Sequence, residues 1–154
     1  MNMVVTFALA TMAVTGSFVA GAELRVILSP EQQVVVAGEI PVFSVRIEAV
    51  GTPSRVMRLN ERDDLRVNYA RLRITENGQP VELPRAISDP GSVGPNDHLV
   101  LKPGQSMHLV HRGEPFGLGE LRPGSYVAKV TLHQELVGGS VTESNSVKVN
   151  VRGK

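Results

Sequence analysis

The chain has 154 residues, 42% of them hydrophobic and 20% charged, with 16 basic against 15 acidic side chains. That make-up describes about one soluble globular domain, and a net charge of +1 gives no overall field for nucleic acid or anionic lipid. There is no Cys and no Trp, which excludes disulfides, thiolate nucleophiles and Cys-ligated metal centres, while 15 Gly and 10 Pro favour many short strands over long helices.

Residues 1–22 contain no charged side chain; an apolar run begins at Met3-Val4-Val5 and closes on Ala20-Gly21-Ala22. Small residues at −3 and −1 suit the shallow pockets of signal peptidase, so a secretory signal cut after Ala22 is expected, leaving 23–154 as the domain. The lack of Lys or Arg ahead of the apolar run fits a start codon further upstream, and two other readings stay open. One is an uncleaved anchor, since about 20 apolar residues span a bilayer. The other is a buried N-terminal helix. Export to the periplasm or the extracellular space of a bacterium is the expected setting, with membrane contact only through residues 1–22 if they stay uncleaved.

Period-two patterning governs the rest. Leu24–Leu28 and Gln33–Ala37 are short β runs either side of Ser29-Pro30. Val42–Val50 alternates cleanly, with Phe43, Val45, Ile47 and Ala49 inward and Ser44, Arg46 and Glu48 outward. Glu61–Val67 is the one short helical candidate. Leu72 and Ile74 alternate with Arg71, Arg73 and Thr75. Asn77-Gly78 then predicts a type I′ hairpin to Val81–Leu83, because that turn needs φ > 0 twice. The Ile87–His98 segment is a Gly/Pro-rich loop. Met107 and Leu109 flank His108 in a further strand, and Arg112–Gly119 forms a second loop. Ser125–His133 places Tyr126, Ala128, Val130 and Leu132 inward and Lys129, Thr131 and His133 outward. Val147, Val149 and Val151 alternate with Lys148, Asn150 and Arg152 in the last strand. Seven or eight short strands with frequent turns imply an all-β, antiparallel sandwich, with a closed barrel as the alternative.

Two similar turns precede late strands: Leu101-Lys102-Pro103-Gly104-Gln105-Ser106, and Leu121, Pro123, Gly124 and Tyr126 in the second. This layout resembles exported bacterial Ig-like domains and is similar to the bacterial proteinase-inhibitor-like sandwich family, in which Phe116 stands where a Trp is expected. The resemblance implies an Ig-like β-sandwich over 23–154, with Tyr126 turning its hydroxyl back onto the upstream backbone. It also implies proteinase inhibition as one function.

Motifs for catalysis are missing from the sequence. There is no Gly-x-Ser-x-Gly elbow, no Walker loop and no dinucleotide fingerprint. His108 and His111 fall on opposite strand faces, and a metal site would have to gather His98, His108, His111 or His133 from different strands. The Glu61, Asp63 and Asp64 cluster is interleaved with Arg58, Arg62 and Arg66, and reads as a solvated, salt-bridged loop. Candidate partner-binding residues are Phe116, Glu114 and Arg112 in one loop, and Arg46, Arg71 and Arg73 on strands, with Tyr69 as a candidate stacker. If their strands are neighbours, those arginines form a basic patch for an acidic protein or polysaccharide. The expected function is a non-catalytic exported binding or assembly module acting through end loops or a strand edge, with no cofactor and no nucleic acid. Its partner would be a protein or an envelope polymer. A proteinase inhibitor and a metal-binding envelope protein are the alternatives.

Overall fold

The alternating stretches become strands in the computed structural model, which describes residues 23–58, 68–82, 93–112, 121–137 and 139–154. In chain order these are β1 (Glu23–Pro30), β2 (Val34–Val36), β3 (Val42–Val50), β4 (Ser54–Met57), β5 (Ala70–Glu76), β6 (Gln79–Pro80), β7 (His98–Leu101), β8 (Ser106–Arg112), β9 (Gly124–His133), β10 (Val141–Glu143) and β11 (Val147–Arg152). Residues 1–22, the 61–67 helical candidate, and residues 87–92 and 113–119 of the two long loops lie outside the described residues.

A first sheet has the order β1-β3-β8, and a second has the order β2-β11-β9-β5-β6 with β10 also on β9. The chain switches sheets after Pro30. Glu31 still donates to Val42 O, but Gln33 O accepts from Asn150 and Ala37 donates to Arg152 O, so β2 runs parallel to β11. Two sheets with the first strand divided between them make an Ig-like β-sandwich. The described residues hold eleven strands against the expected seven or eight. The three added strands are the short β10 and the pair β4 and β7, a small ribbon that shows no alternation in sequence.

The core is built from the inward positions. Phe43, Val45 and Ile47 of β3 and Ala128, Val130 and Leu132 of β9 belong to one core cluster, and all six are fully buried. Burying each large aliphatic or aromatic side chain contributes roughly 1.5–3 kcal/mol. Ser54, Val56 and Met57 of β4 are buried as well, so the β4–β7 ribbon closes one margin of the core.

Asn77 (φ 51°) and Gly78 (φ 79°) form the expected hairpin turn. Its return strand starts earlier than expected, at Gln79–Pro80, because a two-residue turn sets Gln79 opposite Glu76 and Pro80 opposite Thr75; Val81 N–H still donates to Ile74 O, and Leu83 lies outside the described residues. Tyr126 is buried and its Oη donates to Arg122 O at 2.8 Å, as expected of the corner tyrosine. Gly124 leaves room beside it, since a Cβ there would lie 3.3 Å from the Tyr126 Oη and displace the Glu76 carboxylate.

One expectation fails along β9. Thr131 and His133 sit at outward positions yet are buried. Thr131 stands in register between the longer side chains of Arg71 and Glu143. Beyond His133 the chain turns back through a 3-10 turn, Gln134–Val137, which packs against β4. Among the described residues, no helix is long and apolar enough to cross a membrane.

Candidate functional site

Outward positions of β5, β9, β10 and β11 share one surface of the second sheet. Register fixes its layout. Arg73 lies opposite Lys129, Arg71 opposite Thr131 and Lys148 opposite Val127, while Arg152 pairs with Val36 beyond the other end of β9. Glu143, opposite Thr131 on β10, is the one carboxylate among these outward strand positions. Five cations, Arg71, Arg73, Lys129, Lys148 and Arg152, therefore share these strand positions with Glu143 alone, and Glu135 of the adjoining 3-10 turn adds a second carboxylate near Arg71, in a chain whose total charge is +1. A single-sign field of this kind raises the local concentration of opposite charge and speeds encounter.

The electrostatics follow from these contacts. Lys129 Nζ donates to Glu143 Oε2 at 2.5 Å. That hydrogen bond, then the Lys129 charge and more weakly Arg73, hold the Glu143 carboxyl below its ordinary range against a small desolvation effect. Glu135, beside the 3-10 turn, also lies low. Partial burial opposes the shift, but hydrogen bonds from its own backbone and from His133 outweigh it, helped by the charges of His133 and Arg71. His133 Nδ1 lies 2.6 Å from Glu135 Oε1, while its buried Nε2 has no partner.

Arg46 does not join this surface. It projects from β3 in the first sheet, whereas Arg71 and Arg73 belong to β5 in the second, so the three arginines lie on opposite faces of the sandwich. The outer face of the first sheet carries Arg25 and Arg46 balanced in part by Glu48, 3.9 Å from Arg46. Tyr69, the expected stacker, is fully buried. Burial pushes its phenol up to about 12, and its Oη has no hydrogen-bond partner. The Met57 backbone pulls the other way from nearby, outside hydrogen-bond geometry. Phe43, Tyr69 and Tyr126 are all buried, so the described aromatics offer no stacking platform.

The loop candidates Phe116 and Glu114 lie outside the described residues, and Arg112 ends β8 opposite Val42. His108 projects outward from β8, opposite Arg46. His98 is engaged locally: its Nδ1 contacts Pro95 O at 3.1 Å and its Nε2 lies 2.9 Å from Arg55 Nη2. No group of three or more His, Cys, Asp or Glu able to hold a metal occurs among the described residues. Lys129, Lys148 and Arg152 were each legible as outward strand positions. What sequence reasoning missed was that their strands neighbour that of Arg71 and Arg73.

No protein-family model and no curated protein matches the chain. Among solved structures it is similar to Spo0M, a sporulation control protein from Bacillus subtilis, with TM-score 0.51, 14% identity, and coverage of 87% of this chain and 51% of that one. It is also similar to a CARDB domain from Pyrococcus furiosus, with TM-score 0.46, 14% identity, and coverage of 86% and 96%. A β-glucosidase from Listeria innocua matches with TM-score 0.47 and 14% identity, over 86% of this chain and 16% of the enzyme. At such identities the likeness is one of fold. The likeness to Spo0M supports the sandwich and lends no support to a proteinase-inhibitor-like family.

Proposed function

We propose that this chain is an exported, non-catalytic binding module whose working surface is the outer face of the second sheet. The observation that carries the reading is charge segregation: Arg71, Arg73, Lys129, Lys148 and Arg152 stand against Glu143 and, at the Arg71 end, Glu135 on one face of a nearly neutral chain. Folding does not demand such a face. Like charges directly opposite across antiparallel strands, as in Arg73 and Lys129, cost stability. Attraction of an acidic partner gives that arrangement a use.

The test is capture from the native envelope with Arg71→Glu/Arg73→Glu against Arg46→Glu on the opposite face. Loss of the captured partner only with the first variant supports the reading. Equal capture by all three proteins removes the second-sheet face as the working surface.

A further inference from the structure

The five cations are ordered along a line. Pairing registers place Arg152 and Lys148 on β11, Lys129 on β9, and Arg73 and Arg71 on β5, each further along the β9 axis or level with the one before. With about 3.3 Å per residue and about 4.8 Å between strands, the line crosses the sheet diagonally over roughly 30 Å. Successive charges lie about 5–13 Å apart on the same geometry. Asn150 and Ser125, exposed and paired across β11 and β9, sit within the band and offer neutral hydrogen-bonding groups. Glu143 stands to one side and holds Lys129.

Resting on the reading of this face as the working surface, we infer that its partner is a linear anionic polysaccharide laid along the Arg152–Arg71 diagonal. Three observations select that class. The cations are strung out rather than converging, so they suit a ligand with many separated charges and not one phosphate or carboxylate. The exposed aliphatics Val34, Val36 and Val141 lie at the borders of the sheet, on β2 and β10, and the centre holds only the half-buried Val127, so it lacks the large aromatic anchor on which protein interfaces depend. The described aromatics are buried, so sugar rings are held through charge and hydroxyl contacts and not by stacking. Glu143 acts as a brake: it occupies Lys129 and, with Glu135 near Arg71, adds repulsive charge at the margin of the track.

The probe is polygalacturonate, a linear polyuronate, titrated against the purified full chain, with neutral dextran and phosphatidylglycerol/phosphatidylcholine vesicles alongside. The expected result is binding to polygalacturonate but not to dextran, weakening as salt rises because bound counterions are released. Arg71→Glu/Arg73→Glu lowers the affinity at least about ten-fold, as loss of several polyanion contacts does. Arg46→Glu leaves it unchanged, and Glu143→Gln raises it several-fold. That gain distinguishes a contact surface from mere structural damage. Thermal melts check folding, and Arg73→Gln/Lys148→Gln, at two exposed positions, replaces the reversal variant if it fails to fold.

Failure has two distinguishable forms. Indifference to polygalacturonate, with binding to vesicles or an envelope protein that still depends on Arg71 and Arg73, overturns the polysaccharide and leaves the face standing. Polygalacturonate binding that ignores the Arg71, Arg73 and Glu143 variants overturns the face itself, and so does an absence of any Arg71/Arg73-dependent partner.

Discussion

The side-chain amide of Asn145 pairs with the backbone of Leu28 in both directions. Leu28 N–H donates to Asn145 Oδ1 at 2.8 Å and Asn145 Nδ2 donates to Leu28 O at 3.0 Å. A side chain from the second sheet thus behaves as one residue of an extra strand beside β1 in the first. The preceding residue prepares the departure: Ser144 Oγ accepts the Val130 N–H at 2.9 Å, replacing a ladder carbonyl where β10 stops. The pair ties the sheets together and closes the edge of β1 at Leu28, where open backbone groups would invite another chain.

Asn145→Ala is expected to destabilise the domain by about 2 kcal/mol, since two hydrogen bonds of about 1 kcal/mol each are lost. Asn145→Asp removes the donor and sets a carboxylate against Leu28 O, so its loss is expected to be at least as large. Chemical denaturation of the three proteins checks this. Midpoints that coincide would show that the amide pairing contributes nothing net.

The two buried tyrosines make an internal comparison. Tyr126 has its acceptor at Arg122 O, and Tyr126→Phe is expected to cost on the order of 1 kcal/mol by orphaning that carbonyl. Tyr69 Oη is buried without a partner. Tyr69→Phe is therefore expected to be neutral or stabilising by up to about 1 kcal/mol, because an unsatisfied polar atom leaves the core. Opposite signs in the two melts are the predicted result, and equal losses would contradict it.

How much of this was readable in sequence differs by level. Alternation in 42–50 and 125–133 gave the core faces, because a half-buried strand writes its burial directly into period two. Asn77-Gly78 and Pro123-Gly124-Ser125-Tyr126 gave a hairpin and a corner, because their chemistry is local. Strand partnership is not local. Arg46 and Arg71 look equivalent in sequence, yet the chain crosses the sandwich between β3 and β5. For the same reason Lys129, Lys148 and Arg152 could not be joined to Arg71 and Arg73 before the register was known. Thr131 and His133 kept the outward phase but lost the exposure, since period two says which side a residue takes and not what later covers that side.

Acid should weaken the second-sheet face. Glu135 and Glu143 both titrate below the ordinary carboxylate range in the folded chain. A depressed folded value means their contribution is present above the unfolded value of about 4.3 and is lost as pH falls through the folded one. Both carboxylates are substantially exposed, so the effect is small. Melting temperature is expected to be flat near neutrality and to fall in acid, less steeply for Glu135→Gln/Glu143→Gln. Superimposable acid limbs for variant and parent would remove these two groups from the account.

Export, on which the proposed setting depends, is tested at the first strand. The charge-free run ends at Ala20-Gly21-Ala22, and Glu23, the first charged residue, is also the first residue of β1, in register with Val50. Cleavage after Ala22 therefore removes none of the described strand pairings, and the released chain keeps the full β1–β3 ladder. The expected product in the native host is a soluble protein whose N-terminus is Glu23, identified by mass spectrometry of the envelope fraction. Ala20→Gln/Ala22→Gln is expected to block processing, because the peptidase pockets at those positions admit small side chains only. A membrane-bound product that retains Met1 would overturn cleavage and make 1–22 an anchor, and a soluble cytoplasmic product that retains Met1 would overturn export altogether.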